Sequence, residues 1–410
     1  MEVLESLFSK ALKLERPWEI TKVEFLEKEG RINLFIDFPR GSVFPCPKCK
    51  KDAKAFDTTE KRWRHLNFFQ YECYLVARVP RTDCEADGKL QIEVPWSREG
   101  SDFTLLFESF AMTLCREMPV NRVSKIIKVD DNKLWRMMGY YTEAVRQLED
   151  YSGVTKIGFD ETSKSKGHDY VSLFVDLDEK KTIFVAEGKG SETVSDFKKD
   201  FVAHGGKPEN VTDMSIDMSP AFIKGIVGDF PQAEITFDKF HIMKIINKAV
   251  DKVRITEVKE QEILRGQKYL FLKNRINLTE KQKKSLNAIE SMSKLNLKTV
   301  RAYHIRENFQ CIYQEKTQED FERSLKKWYF WATHSRIEAI KEAAKTIKHH
   351  WSGVLRWYES KVSNGILEGL NSLVQAAKAK ARGYRTFKNL RTIIYMLTGK
   401  LDYSKVGLPT

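Results

Sequence analysis

The spacing of apolar positions changes period several times along the chain, and each change marks a segment. Over Glu2 to Leu14 apolar residues recur every three or four positions, which predicts a short amphipathic helix. Alternation follows: Glu19-Ile20-Thr21-Lys22-Val23-Glu24-Phe25-Leu26 and Ile32-Asn33-Leu34-Phe35-Ile36-Asp37 read as strands flanking the turn signal Glu29-Gly30, and a basic strand runs from Tyr74 to Arg81. From Asp102 to about Asp150 the helical period returns, predicting helices over Phe103 to Cys115, Val120 to Val129 behind Pro119, and Asp131 to Leu148. Three strands come next, Val154 to Asp160, His168 to Leu177 and Thr182 to Glu187, separated by turns at Lys166-Gly167 and Asp178-Glu179-Lys180, so they form an antiparallel meander. A helix from Ser191 to His204 opens with Ser191 as cap and Glu192 as first-turn acid. Strand Val211 to Asp217, a helix from Pro220 to about Phe230 and strand Ala233 to Asp238 complete the segment. This is the element order of a ribonuclease-H-like core. It sets Asp160 on the central first strand and Asp217 beside it, at the end of the fourth.

Chemistry enters where apolar runs close on acids. Ile157-Gly158-Phe159-Asp160-Glu161-Thr162 and Met214-Ser215-Ile216-Asp217-Met218-Ser219 share that form, and a third acid stands in Asn364-Gly365-Ile366-Leu367-Glu368-Gly369-Leu370-Asn371. Any one of these alone reads first as an acid that simply caps a strand. Together, carboxylates converging from distant segments are what a two-metal phosphoryl-transfer site requires. Two Mg²⁺ (or Mn²⁺) ions about 4 Å apart clamp the attacking and leaving oxygens, and carboxylate oxygens suit such hard cations. Asp160 and Asp217 are 57 residues apart, whereas Asp217 and Glu368 are 151 apart, far more than one returning helix needs. The excess, roughly His241 to His350, is helical in pattern and rich in Lys and Arg, and reads as an all-α insertion. Its aromatics Trp328, Tyr329, Phe330 and Trp331, with Trp351 and Trp357, are read first as packing between insertion helices and second as a platform for an unpaired base.

A net charge of +13 and a pI near 9.2 imply an anionic partner, nucleic acid or acidic membrane. The membrane is disfavoured because no run of about 18 apolar residues occurs and the first five residues are acidic, unlike a signal peptide. The expected location is cytoplasmic and nucleoid-associated. Six cysteines are too few for a disulfide scaffold. Cys46-Pro47-Lys48-Cys49 is a knuckle in which two thiolates can hold a tetrahedral ion, and Cys84 with Asp87 supplies a second pair, a carboxylate replacing the expected last thiolate. His65 or Cys73 stands as the alternative fourth ligand, and a metal-free set of thiols as the alternative to zinc. Cys115 and Cys311 read as core residues on apolar helical faces.

The break at Val129-Asp130-Asp131 between two helices reads either as a plain three-helix bundle or as a helix-turn-helix. In the second case Asn132, Lys133 and Arg136 face base edges in the major groove. Between Ala376 and Lys400 lie seven basic residues and no acid. Helical spacing puts Glu368, Asn371, Gln375, Lys378 and Arg382 on one face, so the third acid is followed by cations where a scissile strand must run, with Arg385 a little beyond. Asp238 and His241 end the fifth strand near the acids, suited to orienting a ligand or meeting the DNA backbone. Glu161 points to the opposite face from Asp160 and is not expected to be a ligand.

The motifs Gly158-Phe159-Asp160-Glu161, Ile216-Asp217-Met218-Ser219-Pro220-Ala221-Phe222, Phe237-Asp238-Lys239-Phe240-His241, Asn364-Gly365-x-x-Glu368-Gly369-x-Asn371 and Ala381-Arg382-Gly383-Tyr384 resemble those of DDE transposases of the ISL-three insertion-sequence family, in order and spacing over nearly the whole chain. The resemblance implies a Mg²⁺-dependent enzyme that binds terminal inverted repeats, cleaves the strand at each element end and joins the freed 3′-OH to target DNA, acting as a homodimer on paired ends. It assigns Asp160, Asp217 and Glu368 as the catalytic triad. Asp87 departs from the family, whose members keep a second Cys pair. The expected architecture is multidomain α/β: a β-rich cysteine-knuckle domain over 1–100, a helix-turn-helix over 101–150, the core over 151–240 and 351–410, and the insertion over 241–350. A structure-specific nuclease on the same core, or a domesticated transposase acting only as a DNA-binding regulator, are the rival readings. Repeat sequence, target preference and oligomeric state are not encoded in any motif.

Overall fold

The structure is a computed structural model describing residues 2–164, 169–292, 295–360 and 365–409. The chain divides into two compact units, 1–148 with 401–410, and 149–400.

In the first unit, helix α1 (Glu2–Ala11) precedes strands β1 (Glu19–Leu26), β2 (Arg31–Asp37), β3 (Val43–Pro45), β4 (Asp52–Arg64), β5 (Glu72–Cys84) and β6 (Gly88–Gln91). They form one sheet in the order β1-β2-β5-β4-β3, with β6 paired to β5. The predicted hairpin is present, Gly30 taking the left-handed backbone (φ 61°) that its turn demands. Ile32, Leu34 and Ile36 alternate with Asn33 and Phe35 on β2, and with Trp18, Trp63 and Leu75 they make this unit's own core. Helices α2 (Leu105–Glu117), α3 (Val120–Ile127) and α4 (Asp131–Arg146) follow. Thr104 caps α2 by accepting from the Phe107 N–H, and Asp130 caps α4 by accepting from Asn132. Between α3 and α4, Lys128 adopts a left-handed conformation (φ 54°) that turns the chain sharply.

The second unit is built on β7 (Lys156–Ser163), β8 (Tyr170–Asp176), β9 (Lys181–Glu187), α5 (Glu192–Ala203), β10 (Asp213–Ile216), α6 (Pro220–Asp229) and β11 (Glu234–Phe237). The sheet order is β11-β10-β7-β8-β9, antiparallel within the meander and parallel from β7 to β11. One face buries Phe159, Phe174, Phe197, Phe201 and Phe230, with Phe174 and Phe197 stacked at 4.4 Å. Helices α7 (Lys239–Glu257), α8 (Lys268–Leu272), α9 (Glu280–Ser291), α10 (Lys298–Ile312), α11 (Gln318–Thr333) and α12 (Glu338–His349) extend the same core. Helix α13 (Trp351–Ser360) packs on β11, where Arg356 pairs with Asp213 at 3.0 Å. The other face of the sheet carries α14 (Gly365–Ala381), through Leu367 against Val175 and Leu177, and α15 (Phe387–Thr398), whose Tyr395 hydroxyl accepts from the Val185 N–H.

Several expectations need correction. Strand β7 runs on to Ser163, so Asp160 lies within the strand and not at its end. The basic C-terminal segment is two helices, because Arg382 and Gly383 both take positive φ and break it; Arg382 thus leaves the helical face of Glu368. Ser191 occupies the N-cap of α5 in helical conformation without capping through its side chain. Cys115 is buried as expected, but Cys311 is exposed. The Lys166-Gly167 turn, His168 and Asn364 lie outside the described residues. Among the described residues no helix is long and apolar enough to cross a membrane.

Candidate active site and metal-ligand cluster

Strand register assembles the acids. In the parallel pair of β7 and β10, Ser215 lies opposite Gly158, so two residues on the same register sets Asp217 beside Asp160. Ile216 lies opposite Phe237, which sets Asp238 beside Asp217. Three aspartates therefore form a row across adjacent strands, whose backbones lie about 4.8 Å apart. Asp217 is fixed by the Ser219 N–H at 2.9 Å. Buried Asp238 caps α7 through the Phe240 N–H and meets His241 Nδ1 at 3.2 Å. Burial pushes the Asp160 carboxyl above its usual range; the Glu161 N–H and the His241 ring pull it back, while Asp217 and Asp238 push it further up. His241 is raised by its bond to Asp238 against the cost of burial, with Asp160 and Asp217 adding to the rise.

Helix α14 carries Glu368 and is tied to β7 by its neighbours. Asn371 Nδ2 donates to Asp160 Oδ2 at 2.9 Å, one turn beyond Glu368. Gln375 continues the seam with bonds to the Thr162 hydroxyl at 2.5 Å and the Ser163 carbonyl at 3.1 Å, and Lys378 Nζ reaches the same carbonyl at 2.5 Å. Helix and strand can approach this closely because residue 158 has no side chain: a Cβ there would stand 2.7 Å from Leu177 Cδ2 and 3.1 Å from Leu367 Cδ1. Glu368 itself is solvent-exposed. The three acids do not close to single-ion spacing, since the one group of three or more ligand atoms within 4.8 Å among the described residues lies elsewhere. A pair of ions spreads its ligands over a wider site than one ion does. Hard oxygens suit the place: the acids repel one another there, and Asn371 Oδ1 is buried without a hydrogen-bond partner.

Asn371 and Lys378 were expected on DNA; the structure directs both to β7. Arg382 and Arg385 are exposed. In α4, Asn132 and Arg136 are exposed, while Lys133 pairs with Asp102 at 2.6 Å. Glu161 is half-buried on the alternate face of β7, and burial, then Asp217, raise its carboxyl. Of the insertion aromatics, Trp328 is buried and donates to the Ile305 carbonyl, Tyr329 packs on Trp351, and Trp357 packs on Tyr313. Phe330 and Trp331 remain exposed at 65% and 43%. The Asn371, Gln375 and Gly158 contacts were missed as such; the helical period from Glu368 to Gln375 was the signal available.

The 4.8 Å group is Cys46, Cys49, Cys84 and Asp87. The knuckle is closed by the Lys50 N–H on the Cys46 carbonyl, with Lys50 left-handed at φ 59°. Its counterpart is the β5–β6 turn, where Cys84 pairs with Gly88. Cys46 Sγ lies 3.4 Å from Asp87 Oδ2, Cys49 Sγ 3.5 Å from Cys84 Sγ, and Cys84 Sγ 3.8 Å from Asp87 Oδ2. Those edges match a tetrahedron around an ion with bonds of about 2.0–2.3 Å. The N–H groups of Asp87 and Ala86 lower the Cys84 thiol, favouring the metal-binding thiolate. The two alternatives fall away: His65 is bonded to the Thr104 hydroxyl and Cys73 is packed in the core.

Comparison with known proteins finds three family matches along the chain. Residues 157–394 match a DDE family model described as the ISL3 transposase, residues 92–142 match the helix-turn-helix domain of transposase family ISL3, and residues 42–87 match the zinc-finger of transposase IS204/IS1001/IS1096/IS1165. The chain is similar to the transposase for insertion sequence element IS1001 of Bordetella parapertussis, 24% identical over 89% of this chain and 91% of that protein. It is also similar to the transposase for insertion sequence element IS1557 of Mycobacterium tuberculosis, 24% identical over 93% and 92%. A DNA-cleaving and strand-transferring enzyme is thus defined, and the chain belongs to the ISL3 family of DDE transposases.

Proposed function

We propose that this transposase works through a ribonuclease-H-like core in which Asp160, Asp217 and Glu368 hold two divalent cations, Mg²⁺ or Mn²⁺, and that it acts on terminal inverted repeats and target DNA as a homodimer in the cytoplasm. The observation that carries the reading is the aspartate row across the parallel strands β7, β10 and β11, tied to α14 through Asn371 and Asp160. The antiparallel meander followed by two parallel strands supports the core assignment. When bound, the cations polarise the phosphate and stabilise the charge that develops in an in-line displacement. The chain's own residues do the positioning. The Glu161 N–H and Asn371 orient the Asp160 carboxylate, the Ser219 N–H orients Asp217, and the Gln375–Thr162 bond fixes the height of α14 against β7. Asp238 holds the His241 ring against the row. Incubating full-length protein with end DNA and a target plasmid tests the activity: joined products are expected, and nicked ends that never join would favour a nuclease.

Removing the orienting bond has a predicted size. Asn371→Ala is expected to lower cleavage roughly 10–100-fold, the usual cost of losing a group that orients a metal ligand. Gel shifts on the same end substrate should show repeat binding unchanged.

Cys46, Cys49, Cys84 and Asp87 are proposed to hold structural Zn²⁺, and α4 to be the recognition helix. Base contacts discriminate sequence and phosphate contacts do not. Arg136→Ala is expected to reduce the preference for repeat over random DNA by about 1–3 kcal/mol. Arg382→Ala or Arg385→Ala, on the proposed phosphate-contacting segment, should weaken both DNAs alike and lessen the salt slope by about one unit. Competition binding across a salt series reads both, and a loss of specificity from either arginine of the second pair means the reading helix is misplaced.

A further inference from the structure

Phe240 is the second residue of α7, two positions after Asp238, and 57% of its surface is exposed. One exposed ring means little alone. This one borders a cavity of about 200 Å³ whose other walls include Met243, Lys244, Lys248, Lys268 and Leu272. Phe240, Lys244 and Lys248 are spaced at four-residue intervals, so ring and ammonium groups share one face of α7. That face runs roughly 12 Å, the reach of about three phosphates on one strand. Lys268 is partly neutralised by Asp251 at 3.3 Å, whereas among the described residues no carboxylate pairs with exposed Lys244 or Lys248.

The groove is also built. Arg306 of α10, almost wholly buried, donates to Asn247 Oδ1 of α7 at 3.0 Å and to the Leu272 carbonyl at 3.1 Å. One buried cation thus pins both walls, so the groove exists before any ligand arrives. It begins beside the aspartate row, because the Phe240 N–H is bonded to Asp238 and its ring lies edge-on to His241 at 5.8 Å.

We propose that this groove binds single-stranded DNA: an unpaired base next to the cleavage site stacks on Phe240, and the adjoining phosphates lie along Lys244 and Lys248. The proposal rests on reading the aspartate row as the active site. Duplex DNA is a poor occupant, since its bases are already stacked and present no free face to the ring. An aromatic face followed by cations is the pattern that holds an unpaired strand without reading its sequence. The element end is therefore opened, not merely docked, when it reaches the acids.

The test uses full-length protein without added divalent cation, so that binding is read apart from cleavage. The probes are a fully paired repeat end and the same end with unpaired nucleotides at the cleavage junction, carrying 2-aminopurine in the unpaired stretch. Wild type is expected to bind the opened end on the order of tenfold more tightly and to change the 2-aminopurine signal. Phe240→Leu should lose both effects while binding the paired end as before, and Phe240→Trp should keep both. Lys244→Ala and Lys248→Ala should each lower the salt slope on the opened end by about 0.7. Equal wild-type affinity for the two ends, or a Phe240→Leu protein that retains the signal, overturns the proposal. Failure of the active-site reading shows separately, as cleavage surviving Asp160→Ala with the binding preference intact.

Discussion

Asp160→Ala, Asp217→Ala and Glu368→Ala are each expected to abolish strand cleavage while leaving repeat binding largely intact. The expected loss is a thousandfold or more, since stabilising a transferring phosphoryl group with bound cations contributes several kcal/mol and about 1.4 kcal/mol is tenfold in rate. Asp160 and Asp217 stand side by side by strand register, so either truncation removes carboxylate oxygens from the same place. Glu368 is carried separately, on a helix held to β7 by Asn371, Gln375 and Lys378. Its loss leaves that seam in place and should not disturb folding. Glu161→Gln is the control: on the alternate face of β7 it should keep substantial activity. Cleavage and gel-shift assays on one end substrate provide the check, and full cleavage by any one of the three alanine variants removes that residue from the triad.

The meander, the two parallel strands and the helices between them were legible because β8, β9 and β10 are short apolar runs closed by turn residues, and α5 and α6 keep the helical period. The pairing of Asp160 with Asp217 was legible from the element order, which sets the fourth strand beside the first, although β7 has 8 residues and β10 has 4. What periodicity does not carry is how near a helix comes to a sheet. That depends on Gly158, whose missing side chain admits Leu367, and through it on whether Asn371 touches Asp160 or faces DNA. Reading Asn371, Lys378 and Arg382 as one outward face failed here: the inner edge of α14 is satisfied by β7, and the chain turns at Arg382. Cys311 failed differently, because an apolar neighbourhood in sequence did not make its own position face inward. Phe240 lies in the motif Phe237-Asp238-Lys239-Phe240-His241, but no spacing in the sequence marks the groove beside it. Its walls come from helices joined by Arg306, a contact across 59 residues.

Metal analysis of protein purified without added metal should find about one zinc per chain, absent from Cys46→Ser. The edges of 3.4–3.8 Å between Cys46, Cys49, Cys84 and Asp87 already suit the ion, so binding does not require the knuckle and the β5–β6 turn to move. Without it, three thiols and a carboxylate crowd one another at the end of a sheet whose core lies elsewhere, around Trp18, Leu34 and Leu75. Zinc binding at such sites contributes on the order of 10 kcal/mol toward folding the segment that carries the ligands. Cys46→Ser should therefore lower the melting temperature and cost repeat binding together, whereas the acids of the second unit are untouched. Asp87→Cys is the discriminating variant: it should retain zinc and hold it more tightly against a chelator, because thiolate is the softer ligand. Zinc-free protein that melts like wild type and like Cys46→Ser would retire the ion and leave the cluster as ordinary thiols.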